Sequence, residues 1–195
     1  MTKLRTRRVL RWILVGSLVV LFIALQTHQG TATFFQQLFL GTGVFKPGMF
    51  IEKESRKPFD YSLTLNDLSG KRVDLTSYRG STIFLNFWAT WCPPCRAEMP
   101  GIVELYTDLQ ETDIQFFLVS LDKDDESIQS YKRKNGFDVP FYLPVGPVPE
   151  SYGTASIPVT MVIDHDGRVA FRHEGMASFN TRRFRNALRA ESEKS

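Results

Sequence analysis

The two cysteines of this 195-residue chain, Cys92 and Cys95, flank Pro93 and Pro94. Thiols with this spacing can form a reversible disulfide, contribute to a metal site or hold a haem. Zinc would need two further ligands, but the three histidines of the chain are scattered without ligand spacing. Haem attachment would need a histidine after the second cysteine, where Arg96 stands. A disulfide across so short a loop contributes little stability, so the spacing favours a redox-active dithiol over an inert pair of thiols.

The chemistry of such a dithiol explains the order of its residues. Cys92 is predicted to lie where a strand ends and a helix begins, and a helix N-terminus favours the thiolate that attacks a disulfide. Cys95, one turn further and more buried, can then attack Cys92 and release the mixed disulfide. Pro93 and Pro94 fit the first helical turn but remove two N–H donors that could stabilise the thiolate. This loss favours a reductant over a strong oxidant.

Apolar runs alternate with helical patterns on both sides of the dithiol. The runs predict strands over residues 61–65, 72–75, 82–88, 114–121, 141–143, 159–163 and 169–173. The patterns predict helices from the cysteines to residue 109, over 125–134 and over 181–191. The first two strands are expected to form a hairpin, and the Asp-Gly pair at 166–167 predicts a second one between the last two. We therefore predict an α/β fold with a central mixed sheet flanked by helices.

The N-terminal residues 1–28 are typical of a membrane-targeting segment. Five basic residues and no acidic residue precede an uncharged run over 12–25. As a helix this run spans about 21 Å, short of a hydrocarbon core of roughly 30 Å unless neighbouring residues extend it. An uncleaved signal anchor is favoured, because a cleaved signal peptide would need a convincing small-residue cleavage site, and a buried core helix would need a polar face. Both membrane alternatives place the rest of the chain outside the cytoplasm.

Residues 29–58 are predicted to be a tether that leads to a domain over 59–195. Phe34, Phe35, Leu38 and Phe39 recur at helical spacing, so this part either forms a helix on the membrane surface or packs onto the domain. Residues 46–58 are polar and rich in charge, as expected of a tether. Without the five N-terminal basic residues, 19 basic residues face 21 acidic ones, and no nucleic-acid partner is expected.

Residues 86–100, which carry the dithiol, resemble the active-site block of the thioredoxin superfamily and, within it, the membrane-anchored TlpA/ResA-like thiol-disulfide oxidoreductases. Residues 63–71, 152–160 and 162–168 are similar too, so the resemblance covers about 59–190. It implies a thioredoxin-like fold with an N-terminal β-hairpin and a central insertion near residues 123–148.

The same resemblance implies a function. It places a single-pass protein in the bacterial inner membrane, with a periplasmic domain and no bound cofactor. The implied substrates are disulfides of exported proteins, such as apocytochrome c, and the implied electron donor is a membrane thiol protein.

The resemblance also marks a substrate-binding region beside the dithiol. It implies that the peptide bond between Ile157 and Pro158 is cis and faces the cysteines, whereas the sequence alone would favour a trans proline at the start of a strand. The backbone of Ile157 could then pair with an extended substrate segment. Trp91, next to the sulfur of Cys92, is expected to shield it and to contact substrate.

A proton acceptor for Cys95 is the remaining requirement. Thioredoxin has a buried aspartate on the strand before the dithiol, but this chain has Asn86 there, which cannot accept a proton. The resemblance gives the role to Glu98, three residues after Cys95, although the sequence alone would assign it only an interaction with the helix dipole.

Two other classes of function stay open. A thiol peroxidase would use one peroxidatic cysteine in a pocket supported by arginine or threonine, and the paired cysteines and Pro158 argue against it. A chaperone or binding module on the same fold would act without chemistry and would survive the loss of both cysteines.

Overall fold

The computed structural model describes residues 15–17, which are helical, and residues 47–193. In chain order, the strands and α-helices of residues 47–193 are β1 (Thr64–Asp67), β2 (Arg72–Asp74), β3 (Ile83–Trp88), α1 (Pro93–Asp108), β4 (Gln115–Ser120), α2 (Asp125–Asn135), β5 (Phe141–Pro144), β6 (Val159–Ile163), β7 (Val169–Glu174) and α3 (Arg182–Ser192). Short 3₁₀ helices lie at Lys53–Ser55, Leu75–Tyr78 and Glu150–Tyr152.

The strands form one mixed sheet in the order β2-β1-β5-β4-β3-β6-β7. Strands β3, β4 and β5 are parallel, and the remaining neighbours are antiparallel. The predicted α/β class and both predicted hairpins are confirmed. The region that we expected to be an insertion supplies α2 and β5, and β5 joins the N-terminal hairpin to the rest of the sheet.

Strand β3 carries the dithiol loop and lies in the centre of the fold. All six of its residues are buried, and their side chains alternate between two apolar clusters. Phe84 and Trp88 pack in the cluster that includes residues of α1 and α3. Leu85 and Phe87 pack in the cluster on the other face of the sheet. Asn86 shares the face of Phe84 and Trp88, so a polar side chain points toward the helix that begins at the dithiol.

The N-terminal hairpin differs in its bounds from the prediction. Strand β1 begins later than expected and ends at Asp67, and within it Asn66 pairs with Arg72. The turn is tight because the Asp67 carboxylate accepts hydrogen bonds from the amides of Ser69 and Lys71. These local hydrogen bonds set the ends of the hairpin, which the hydrophobic pattern alone did not indicate.

The described part of the predicted tether, residues 47–58, packs against the domain. The Ile51 amide donates to the carbonyl of Ala170 in β7 at 2.7 Å. Arg56 is only 8% exposed, and its guanidinium contacts Asp164 at 2.9 Å and Glu191 at 2.8 Å. The charges that predicted a solvated tether are therefore partly used inside the fold.

Most of the predicted anchor and all of the predicted interfacial helix lie outside the described residues. Within residues 15–17 and 47–193, no helix is both long and apolar enough to cross a bilayer.

Candidate functional site

The two cysteines form a disulfide at the start of α1. Cys92 is the residue that caps the helix, and its sulfur accepts a hydrogen bond from the amide of Cys95 at 3.3 Å. Pro93 and Pro94 occupy the first helical positions, as their fixed φ and missing N–H predict. Cys92 is 4% exposed and Cys95 is fully buried. The geometry thus gives the two sulfurs unequal access to solvent.

The segment before β6 lies against the Cys92 sulfur. The peptide bond between Ile157 and Pro158 is cis, as the resemblance implies, and the Ile157 carbonyl oxygen lies 3.8 Å from the sulfur. Because β6 pairs with β3 up to Phe87 and Val159, this segment arrives at the end of β3 where the dithiol loop begins. Trp91 is 66% exposed beside the disulfide. The residues predicted to bind substrate therefore lie together at the C-terminal end of β3.

Glu98 is buried beneath the disulfide, on the inner face of α1. It is 2% exposed, and its Oε1 atom accepts a hydrogen bond from the Asn86 side-chain amide at 3.0 Å. Its Oε2 atom accepts one from the backbone N–H of Ala177 at 3.1 Å. Burial raises the pKa of Glu98 to about 8, although both hydrogen bonds act in the opposite direction. A buried carboxyl group with a raised pKa therefore lies about one helical turn from Cys95.

Asn86 connects Glu98 to the sheet. Its amide nitrogen also donates to the Thr160 hydroxyl at 2.9 Å, and the two residues are paired across β3 and β6. The Asn86 Oδ1 atom is buried, and no hydrogen-bond partner for it lies within residues 47–193. Sequence reasoning identified Asn86 and Glu98 but missed Thr160 and Ala177. The only signal for Thr160 was a hydroxyl inside an otherwise apolar strand, and Ala177 contributes only its backbone.

Within the described residues, no group of three or more His, Cys, Asp or Glu side chains is placed to hold a metal ion. The candidate reactive groups that the structure brings together are the two sulfurs and the carboxyl group of Glu98.

The fold and the site together define a class of protein. A mixed sheet carries a Cys-x-x-Cys disulfide where its central strand meets a helix, and a cis-proline before an antiparallel strand faces that disulfide. This arrangement is that of the thioredoxin superfamily. The chain belongs to the AhpC/TSA family, whose model matches residues 59–172.

Curated relatives are thiol-disulfide oxidoreductases by name. The ResA protein of Bacillus thuringiensis strain Al Hakam is 32% identical over 125 residues, which are 63% of this chain and 72% of that protein. The ResA protein of Bacillus thuringiensis subsp. konkukian strain 97-27 is 32% identical over 111 residues. That second match covers 55% of this chain and 63% of the relative, which is less than two thirds of its length.

A solved structure is similar as well. The thiol:disulfide interchange protein of the thioredoxin family from Chlorobium tepidum TLS superposes with a TM-score of 0.54 at 25% identity. The match covers 68% of this chain and 97% of that one. The predicted thioredoxin-like fold and the predicted relationship to ResA-like proteins are confirmed.

Proposed function

We propose that this protein is a thiol-disulfide oxidoreductase that reduces disulfides of exported proteins through Cys92 and Cys95. The observation that carries the proposal is the disulfide at the start of α1, in which one sulfur is slightly accessible and the other is fully buried. The names of the relatives support the same reaction. Apocytochrome c is one substrate of the expected class, and a membrane thiol protein would restore the reduced dithiol.

The reaction transfers two electrons from the dithiol to the substrate disulfide. The Cys92 thiolate attacks one substrate sulfur, the substrate S–S bond breaks, and the departing substrate thiolate takes up a proton. The Cys95 thiol gives its proton to the ionised Glu98, and its thiolate attacks the Cys92 sulfur. This second attack forms the disulfide seen in the structure and releases the second substrate thiolate, which is protonated in turn.

Substrate is proposed to bind at the protein surface around the dithiol. The Ile157 carbonyl lies 3.8 Å from the Cys92 sulfur, so an extended segment that pairs with this backbone would bring its own disulfide to that sulfur. Trp91 offers an exposed aromatic surface at the same place. Cys95 and Glu98 are too deeply buried to contact a protein substrate directly.

The test is reduction of a protein disulfide by the full-length reduced chain. We expect stoichiometric formation of substrate thiols by the wild type, no reduction by Cys92→Ser, and a trapped mixed disulfide with Cys95→Ser. Substrate binding or protection from aggregation that survives both replacements would instead indicate a chaperone. Peroxide consumption faster than disulfide reduction would indicate a thiol peroxidase.

The direction of the reaction gives a separate prediction. Pro93 and Pro94 remove two N–H donors from the first turn of α1, so less stabilisation is available to the Cys92 thiolate. We therefore expect a reduction potential nearer that of thioredoxin, about −270 mV, than that of DsbA, about −120 mV. Equilibration with a glutathione redox buffer measures it. A value above about −180 mV, the range of protein disulfide isomerase, would contradict a reducing role.

The proposed location is the bacterial inner membrane, with residues 1–28 as a signal anchor, 29–58 as the link and the domain in the periplasm. The charge pattern of the first 25 residues supports this orientation. We expect the full-length protein to stay in the membrane fraction after a carbonate wash and to keep its original N-terminus. A soluble mature form that begins near residue 33 would refute the anchor but would still indicate export.

A further inference from the structure

The loop between β3 and α1 is held by the carboxylate of Asp122, two residues after the neighbouring strand β4. Asp122 accepts a hydrogen bond from the Thr90 amide at 2.9 Å through Oδ2, and one from the Thr90 hydroxyl at 2.7 Å through Oδ1. Its Oδ2 atom also accepts from the Ser120 hydroxyl at 2.5 Å. Both carboxylate oxygens are thus engaged, and two of the three donors belong to the residue just before Trp91.

The sheet explains why Asp122 reaches this loop. Strands β3 and β4 are parallel, and Trp88 is paired with Ser120 at their C-terminal ends. One further hydrogen bond continues the pairing, from the Leu121 amide to the Trp88 carbonyl at 2.8 Å. The Asp122 carboxylate, which comes directly after Leu121, therefore lies beside the residues that come after β3. The loop itself is short, since the Cys92 amide donates back to the Ala89 carbonyl at 3.2 Å.

The contact suits an ionised carboxylate in particular. Asp122 has only acceptor oxygens when ionised, and each of its three partners here is a donor. An amide in its place could accept at one atom only, and its NH₂ group would face another donor. Asp122 and Thr90 are both half-buried, so these hydrogen bonds are partly protected from competition by water.

We propose that Asp122 is a positioning residue for disulfide exchange. Through Thr90 it fixes the loop that carries Trp91 and Cys92, so that the aromatic surface and the Cys92 sulfur meet a protein substrate in one geometry. The inference rests on the proposed function, because its consequence is the efficiency of exchange with a protein disulfide. Misplacement of reacting groups by about 1 Å can cost on the order of a hundredfold in rate.

The experiment compares Thr90→Val, Thr90→Ser and Asp122→Ala in the full-length protein. Thr90→Val keeps the shape and the amide but removes the hydroxyl donor, whereas Thr90→Ser keeps both donors. Asp125→Ala is the matched control. The Asp125 carboxylate is exposed and accepts a hydrogen bond from the Gln129 side chain, away from the dithiol loop. Steady-state kcat and KM are measured with a protein disulfide and with a small disulfide that makes no contact with Trp91.

We expect Asp122→Ala and Thr90→Val to lower kcat/KM for the protein disulfide by about tenfold, with a lower kcat from the misplaced Cys92 sulfur and a higher KM from the displaced Trp91. Thr90→Ser and Asp125→Ala should stay within about twofold of the wild type, and the small disulfide should be affected less than the protein one. If the contact between Asp122 and Thr90 is only structural, the variants should lose thermal stability but keep the kcat/KM values of the wild type. If Asp122→Ala does not fold, the comparison of Thr90→Val with Thr90→Ser still tests the loss of the hydrogen bond from the Thr90 hydroxyl to Asp122.

Two further outcomes separate this inference from the proposed function. Equal kcat/KM values for Thr90→Val, Thr90→Ser and an active wild type would overturn the positioning role and leave the oxidoreductase proposal standing. A wild type that reduces no disulfide would overturn both. Hydrogen exchange of the Thr90 amide, which needs no substrate, should accelerate in Asp122→Ala. Unchanged exchange in that variant would also count against the positioning role.

Discussion

Replacing Glu98 with glutamine should remove most of the pH dependence of stability between about pH 4.5 and pH 8. The ordinary pKa of a glutamate is 4.5, whereas burial raises the pKa of Glu98 in the folded protein to about 8. Below pH 4.5 the carboxyl group is protonated in both states and has no effect on their balance. As the pH rises towards 8, the unfolded chain ionises and the folded protein does not, so stability is lost.

The loss should be on the order of 5 kcal/mol between these two pH values, since each pKa unit corresponds to about 1.4 kcal/mol. Glutamine is close in size to the protonated acid and carries no titratable proton. Because only one atom of the glutamine amide can accept from the two donors that face Glu98, Glu98→Gln should be less stable than the wild type at pH 4.5. Its stability should then stay nearly constant as the pH rises to 8, while that of the wild type falls. Urea unfolding of the oxidised protein across this range measures the difference.

The control is Glu104→Gln, on the same helix. The Glu104 carboxylate is exposed and accepts a hydrogen bond from the Asn180 side chain. Its replacement should leave the pH slope of the wild type in place. A Glu98→Gln variant that keeps the wild-type slope would show that Glu98 is ionised in the folded protein throughout this range.

The same replacement should alter exchange chemistry. The ionised Glu98 is the proposed acceptor of the Cys95 proton, so the wild-type rate should rise as the pH approaches 8, when more of this carboxyl group is ionised. Glu98→Gln should be slower near neutral pH and lack this part of the profile. The measurement is the rate at which each protein reduces a model disulfide. If Glu98→Gln keeps the wild-type rate from pH 5 to 9, Glu98 does not take part in proton transfer.

The sequence was sufficient to predict the fold class and the dithiol, because both depend on local patterns. Apolar runs predicted the central strands, and the Cys-x-x-Cys spacing predicted the disulfide at the start of α1. The surroundings of Glu98 could not be predicted in this way. They come from β3, β6 and the chain after β7, and only the folded sheet brings these segments together.

In the segment before the domain, too, the sequence did not predict the long-range contacts of a charged residue. Residues 46–58 have the composition of a solvated tether, and composition does not reveal that one of their charges has a buried partner. Arg56 meets Asp164 and Glu191, which are more than a hundred positions away in the chain. A pattern read along the sequence contains no information on such a contact.

Replacing Arg56 with methionine should therefore destabilise the domain by about 3–5 kcal/mol. The guanidinium donates to Asp164, to both oxygens of Glu191 and to the Ile51 carbonyl. Both carboxylates are almost fully buried, and the replacement removes the cation that bridges them.

Lys53→Met is the matched control, because Lys53 lies in the same segment and contacts Asp166 at 3.0 Å with both side chains exposed. Its loss should cost less than about 1 kcal/mol. Urea unfolding of both full-length variants gives the comparison, and disulfide reduction shows whether the dithiol is still intact. A protein that begins at residue 59 should be at least as unstable as Arg56→Met, because it also lacks the Ile51 and Phe50 contacts with the domain. Equal stability of the Arg56 and Lys53 variants would mean that the buried contacts of Arg56 contribute little to the stability of the domain.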